Sequence, residues 1–182
     1  MKKIDMSKIS PMMKHYLTLK EQYKDSIMLF RLGDFYEMFF DDAVTASRVL
    51  DLTLTGRDCG LEERAPMCGV PYHAIDGYIA KLIDRGYKVA VCEQLTTPQE
   101  SKGMVERDVV RIITPGTLTD ETMLIENQNN YIASVITDGN RTGIAWADIS
   151  TGEFYLYEFD ADRNLNAIED ILISISPREI IS

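Results

Sequence analysis

The twelve residues Leu29-Phe30-Arg31-Leu32-Gly33-Asp34-Phe35-Tyr36-Glu37-Met38-Phe39-Phe40 constrain this chain more than any other stretch. The run 27–32 is short and apolar but for Arg31, which predicts a buried strand. It stops at Gly33, where the backbone turns without a Cβ penalty. Tyr36, Phe39 or Phe40, Ala43, Ala46 or Ser47, and Leu50 then recur at helical spacing, predicting a helix over 36–50 with Tyr36 and Phe39 on its core stripe. Phe35 lies at the strand-to-helix corner, off that stripe, with Glu37 two residues on. The spacing admits two plain readings. Asp34 and Glu37 fit a capping box, and Phe35 folds into the core. It equally admits a corner from which a ring and a carboxylate both face outward.

The rest of the chain reads as alternating strands and helices. Ser10 before Pro11 starts an amphipathic helix that carries Met12, Met13, Tyr16, Leu17, Leu19 and Tyr23. A short strand is expected over 52–55, a mobile polar loop over 56–64, and a strand over 67–70. A helix over 74–85 buries Ile75, Tyr78, Ile79, Leu82 and Ile83, and Gly86 stops it. Strands follow over 87–95 and 106–113, separated by a polar loop over 96–103. Beyond Thr114-Pro115-Gly116-Thr117 the pattern predicts a short helix over 120–125 and three antiparallel strands over 131–137, 143–149 and 153–159. A helix over 162–174 then buries Leu165, Ile168, Ile171, Leu172 and Ile175, and Pro177 ends it before a strand at 179–181. The fold class expected is α/β, with a mixed β-sheet flanked by helices followed by a second, incomplete α/β domain. The domains expected are 1–113, a linker over 114–129, and 130–182.

Charge divides at the same place. Residues 1–113 hold 16 Lys and Arg against 17 Asp and Glu, whereas residues 114–182 hold 3 against 12. The net charge of −10 is therefore carried almost wholly by the second part, and a polyanion is tolerated only by the first. Three cysteines, Cys59, Cys68 and Cys92, are odd in number and irregularly spaced, which argues against a disulfide framework and for a reducing cytoplasm. No C-x-x-C pair joins Cys59, Cys68 and His73 into a zinc pattern, so no metal site is expected. There is neither an apolar run long enough for a membrane span nor a signal peptide.

Gly33-Asp34-Phe35-Tyr36-Glu37 resembles the signature of the mismatch-recognition domain of the MutS family of DNA mismatch repair proteins. Four further segments resemble that family in the same order: Pro11-Met12-Met13, Pro66-Met67-Cys68-Gly69-Val70-Pro71-Tyr72-His73-Ala74, Val89-Ala90-Val91-Cys92-Glu93-Gln94, and Val109-Val110-Arg111-Ile112-Ile113-Thr114-Pro115-Gly116-Thr117. The resemblance implies that Phe35 enters the minor groove and stacks on a mispaired base, while Glu37 hydrogen-bonds that base. It implies backbone contacts from Arg57, His73, Lys102 and Arg107, and an RNase H-like connector as the truncated second domain. The partner implied is mismatched double-stranded DNA. The whole protein of such a family would be a homodimeric ATPase that uses ATP and Mg and engages a downstream repair factor. This chain contains no G-x-x-x-x-G-K-[ST] loop, so it reads as an N-terminal fragment that is not itself an enzyme and holds no cofactor.

Two other classes compete. Asp34, Glu37 and Glu93 near strand ends suggest a metal-dependent nuclease, although Gln94 stands where a lysine partner is wanted. The acidic second part suits a protein-interaction module, in which Asp148 and Glu153 are simply solvated acids.

Overall fold

The computed structural model describes residues 8–96, 105–126, 128–160 and 166–181. It divides into two compact units, one ending at Ile112 and the other beginning at Ile113.

The first unit is built on strand β1 (Ser26–Leu32), the apolar run itself. Ile27, Met28, Leu29 and Phe30 are all buried, so both faces of this strand are covered and the sequence is continuous rather than alternating. On one side β1 pairs antiparallel with β2 (Phe35–Phe39), and β2 in turn with β4 (Ala65–Pro71). The short β3 (Thr55–Arg57) closes that edge against β4. On the other side β1 runs parallel to β5 (Lys88–Gln94), followed by β6 (Arg107–Ile113). The sheet is therefore mixed, of order β3-β4-β2-β1-β5-β6, as the alternation of elements predicts.

Helices cover both faces. Helix α1 (Pro11–Gln22) packs Met13, Tyr16 and Leu19 on Met28, Phe30, Phe39 and Cys92. The Tyr16 ring meets Phe30 and Phe39 edge-on, at centroid distances of 5.5 and 5.0 Å. Helix α2 (Phe40–Val49) and helix α3 (Ile75–Asp84) bring Ala43, Ala46, Ile79, Leu82 and Ile83 into the core. Asp42 of α2 is buried yet satisfied, since its carboxylate accepts from the Met28 N–H at 3.0 Å and from Tyr16 Oη at 3.3 Å and pairs with Lys20 Nζ at 2.9 Å. Burial nevertheless pushes its pKa up, with Lys20 opposing the shift.

Several expectations need correction. The helix predicted over 36–50 is two elements: residues 35–39 form a strand, and the helix starts only at Phe40. No loop separates them, because Phe40 makes the reversal itself at φ 52°. The capping box of Asp34 and Glu37 consequently does not exist, since Glu37 lies in mid-strand. The strand expected over 52–55 forms later, at Thr55–Arg57, after a helix end held by the Leu52 N–H on the Ser47 carbonyl. Residues 56–64 are not a loose loop. Cys59 is fully buried, its carbonyl accepts from the Ser10 N–H, and a Cβ on Gly60 would lie 2.3 Å from the Lys8 carbonyl oxygen. Residues 97–103 of the polar loop lie outside the described residues.

The second unit carries a four-stranded sheet of order β10-β7-β8-β9. β7 (Tyr131–Asp138), β8 (Arg141–Asp148) and β9 (Glu153–Asp160) form an antiparallel meander, and β10 (Glu179–Ile181) adds parallel to β7. Helix α4 (Ala167–Ile175) precedes β10. The turns at Gly139-Asn140 and after Ser150 fall where the sequence signals them. Residues 120–125 form turns rather than the expected helix. Ile168, Ile171, Leu172 and Ile175 were expected to be buried, but no residue of α4 is, and Leu165 lies outside the described residues. Phe154, Leu156 and Ile173 are exposed, because no second layer covers them among the described residues.

Asp148 is not the solvated acid expected. It is 1% exposed and accepts from the Asn130 N–H at 2.8 Å, the Ser150 N–H at 2.9 Å and the Ser150 hydroxyl at 2.6 Å. Burial by itself would raise its pKa, but these bonds outweigh burial and hold it below the ordinary carboxylate value. A depressed folded-state pKa stabilises above the unfolded value of about 3.9 and loses that contribution as pH falls. The stability measured by urea unfolding, followed by the single tryptophan, Trp146 on β8, should fall progressively below about pH 5, and Asp148→Asn should flatten that dependence.

Candidate nucleic-acid interface

Leu32 pairs with Phe35, so Gly33 and Asp34 form a two-residue hairpin turn. Gly33 has φ +60° and Asp34 does not have positive φ, the pattern of a turn whose first central residue must be glycine. Three contacts pin this turn. The Gly33 N–H donates to Gln94 Oε1 at 2.9 Å, the Gly33 carbonyl accepts from Arg31 Nε, and the Asp34 carbonyl accepts from the Tyr72 N–H at 2.9 Å.

Alternation along β2 then decides what each side chain meets. Phe35, Glu37 and Phe39 share the face on which α1 packs. Phe39 is fully buried beneath Tyr16. The Glu37 side chain is 16% exposed, and Phe35, at the hairpin end, is 47% exposed as a residue. The benzyl group is thus neither sealed in the core nor part of the buried cluster around Tyr16. It is fixed at its base by strand pairing on both sides, to Leu32 and to Pro71.

Glu37 is not alone. Its carboxylate is ion-paired with Arg57 of β3, whose guanidinium also lies 6.0 Å from the Phe39 ring centroid. Gly69 stands opposite Glu37 on β4, and a Cβ there would sit 3.3 Å from Glu37 Cγ and 3.2 Å from the Tyr36 carbonyl oxygen. The missing side chain leaves the carboxylate room to lie across β4 toward Arg57.

The opposite face carries a cluster that the sequence did not disclose. The Tyr36 hydroxyl donates to Glu93, and burial, followed by that bond, pushes the phenol pKa up to about 12. The Arg31 guanidinium lies 4.2 Å from the Tyr72 ring centroid, 5.2 Å from that of Tyr36, and 4.0 Å from Glu93. Tyr72 is 45% exposed, with exposed His73 beside it in a short 3-10 turn. A residue placed on a strand rather than a helix stripe would have revealed Arg31 and Tyr36 as cross-strand neighbours.

The cations expected to meet phosphates fare differently. His73 is exposed. Arg57 is already engaged with Glu37. Arg107 is turned inward: it is 8% exposed, donates to the Arg31 carbonyl at 2.8 Å and the Val105 carbonyl at 2.9 Å, and lies over Phe30, because β6 runs along the sheet beside β5. Lys102 lies outside the described residues. The carboxylates of the rival nuclease reading are not brought together. Glu37 shares a face with Cys92, whereas Glu93 projects from the other and is bound to Tyr36. Among the described residues no three His, Cys, Asp or Glu side chains gather to hold a metal. Burial raises the thiol pKa of Cys68 to about 11 and that of Cys92 to about 12, which leaves both unreactive. Among the described residues, no helix is long and apolar enough to cross a membrane.

Comparison with known families is consistent with this architecture. The sequence model of MutS domain I matches residues 10–122, and that of MutS domain II matches residues 130–182. The chain belongs to the MutS family. It is 57% identical over 176 residues to the DNA mismatch repair protein MutS of Acetivibrio thermocellus, covering 97% of this chain and 20% of that relative. It is 58% identical over 176 residues to the MutS of Ruminiclostridium cellulolyticum, with the same coverage. It is 56% identical over 173 residues to that of Clostridium botulinum, covering 95% of this chain and 18% of the relative. The chain therefore spans about a fifth of the length of the MutS relatives it matches. The hairpin bearing Phe35 and Glu37 falls within the segment matched by MutS domain I, and the acidic meander within that matched by domain II.

A Cβ on Gly33 would meet nothing within 4 Å, so only its backbone conformation opposes substitution. Gly33→Ala should therefore lower the unfolding free energy by about 1 kcal/mol in urea titrations, with Gly33→Asn costing less.

Proposed function

We propose that the first unit recognises mispaired and unpaired bases in double-stranded DNA by inserting Phe35 into the minor groove, with Glu37 hydrogen-bonding the displaced base. The observation that carries this reading is the half-exposed Phe35 ring at the end of a hairpin pinned on three sides, with Glu37 next to it on the same face. The name of the relatives, DNA mismatch repair protein MutS, points the same way.

The energetics suit a probe of softness rather than of sequence. Driving an apolar wedge between base steps costs a few kcal/mol of unstacking. Stacking one base on an aromatic ring returns about 1–3 kcal/mol. These terms nearly cancel, so the local stiffness of the duplex decides the outcome. A mispair is already poorly stacked and bends cheaply, so the ring enters there. A rigid mount matters because a wedge on a loose loop would lose ordering entropy on entry.

Glu37 adds discrimination of another kind. Its carboxylate repels phosphates, and in sound duplex no exposed base edge compensates. At a mispair it accepts from a ring N–H or, when protonated, donates to a purine N7. Phosphate contacts set the position without reading sequence, and His73, with Lys102 beyond the described residues, is proposed for them. The near-neutral balance of residues 1–113 makes binding by this part weak and salt-sensitive. The second unit is proposed as an RNase H-like connector without a catalytic role. For the longer protein we propose mismatch repair as a homodimeric, ATP- and Mg-dependent ATPase that engages a downstream repair factor.

Binding titrations of the full-length protein at low salt, against matched duplex and duplex with one unpaired thymine, test the reading. Phe35→Ala should abolish the preference for the unpaired base; a surviving preference would mean that another residue supplies the wedge. Glu37→Ala should bind matched duplex more tightly and discriminate less, and unchanged affinity for both duplexes would reject its role.

A further inference from the structure

We propose that Arg57 is a specificity-determining positioning residue that holds the Glu37 carboxylate in its base-reading pose, rather than a phosphate contact. The inference rests on the proposed function.

Three features of the site converge on it. First, the guanidinium is committed: Arg57 makes the ion pair with Glu37 while lying over the Phe39 ring, which is itself fixed beneath Tyr16. Second, the pair is sheltered, with the Glu37 side chain 16% and the Arg57 side chain 36% exposed, so solvent screens it less than a surface bridge. Third, the pair spans the sheet. Arg57 comes from β3 and Glu37 from β2, with β4 between them, and the bare Gly69 opposite Glu37 leaves room beside its Cγ, where a Cβ would sit at 3.3 Å.

The chemistry follows from what Glu37 has to do. A glutamate has three side-chain torsions, and on an open strand it samples many rotamers. A carboxylate that must meet a base edge at hydrogen-bond distance gains from being held in one. A planar guanidinium supplies that hold while leaving carboxylate lone pairs for a base N–H. Arg57 offered to a phosphate instead would have to abandon Glu37, leaving an uncompensated carboxylate beside the duplex.

The two roles predict opposite signatures. A phosphate contact contributes equally to matched and mismatched duplex, and its loss reduces the salt slope by about one. A positioning role changes the ratio between the two duplexes and acts only through Glu37. The test is a double-mutant cycle in the full-length protein with Arg57→Gln, Glu37→Gln and the pair, titrated against matched duplex and duplex with one unpaired thymine over a salt series. Arg57→Gln should narrow the affinity ratio about tenfold, the scale of one charge-assisted hydrogen bond, and should change nothing further once Glu37→Gln is present. Arg57→Lys, which keeps the charge, should recover part of the ratio. Thermal unfolding of each variant separates these effects from misfolding, and the lysine variant keeps the test decisive should the glutamine variant unfold. Additive losses, equal on both duplexes and accompanied by a shallower salt slope, would overturn the inference while leaving the base-reading role of Phe35 intact. Absence of any preference in the unsubstituted protein would instead remove the proposed function, and this inference with it.

Discussion

Everything in the first unit is registered against β1, a strand buried on both faces. Once Ile27 and Leu29 are covered on one side and Met28 and Phe30 on the other, its neighbours have no freedom to slip, because a shift of one residue would exchange the two faces. β5 lies parallel to it on one flank and β2 antiparallel on the other. The short turn at Gly33 and Asp34 transmits that register directly to Phe35 and Glu37. The position of the candidate reading residues is in this sense a consequence of core packing two residues away, and Gln94 and Tyr72 secure the turn from the neighbouring strand and the adjacent 3-10 turn.

The same geometry explains how a chain with an acidic excess carries a candidate DNA-facing surface. Two of the carboxylates near the hairpin are engaged, Glu37 with Arg57 and Glu93 with Tyr36 and near Arg31, while Asp34 of the turn is exposed. Charge at the tip is therefore local and directional, not a broad negative field. Beside Asp34, the exposed groups there are a phenyl ring, a phenol stacked on a guanidinium, and an imidazole. Aromatic surface of this kind contacts bases and sugars in a way that depends little on net charge. In the second unit, where most of the net negative charge lies, the buried Asp148 organises a turn.

Much of this was legible from the residues. β1, α1, α3 with its Gly86 stop, β5, β6 and the antiparallel meander lie close to where apolar periodicity and turn residues indicate, since each is long enough, or sharply enough punctuated, for one period to dominate. The segment 35–50 was not. Tyr36, Phe39, Ala43 and Ala46 do recur at helical spacing, but the first two belong to a five-residue strand that abuts the helix with no glycine or proline between. The reversal is made by Phe40 in the left-handed region, where propensity gives no warning because a bulky residue rarely sits there. The placement of Arg107 was hidden for a related reason: a lone arginine reads as solvated until neighbouring main-chain carbonyls take up its guanidinium.

By itself the amino-acid sequence determined the alternation of elements, the two-part charge distribution, the glycine-broken aromatic stretch and the family kinship, all of which are local or compositional properties. Only the tertiary structure decided that Phe35 stands half in solvent on a strand, that Glu37 is held by an arginine twenty residues away, and that Arg31, Tyr36, Tyr72 and Glu93 meet at one corner. Those contacts join strands that are distant along the chain and adjacent only in the sheet. Their geometry depends on register, and register is settled by burial of the whole sheet rather than by any segment of it.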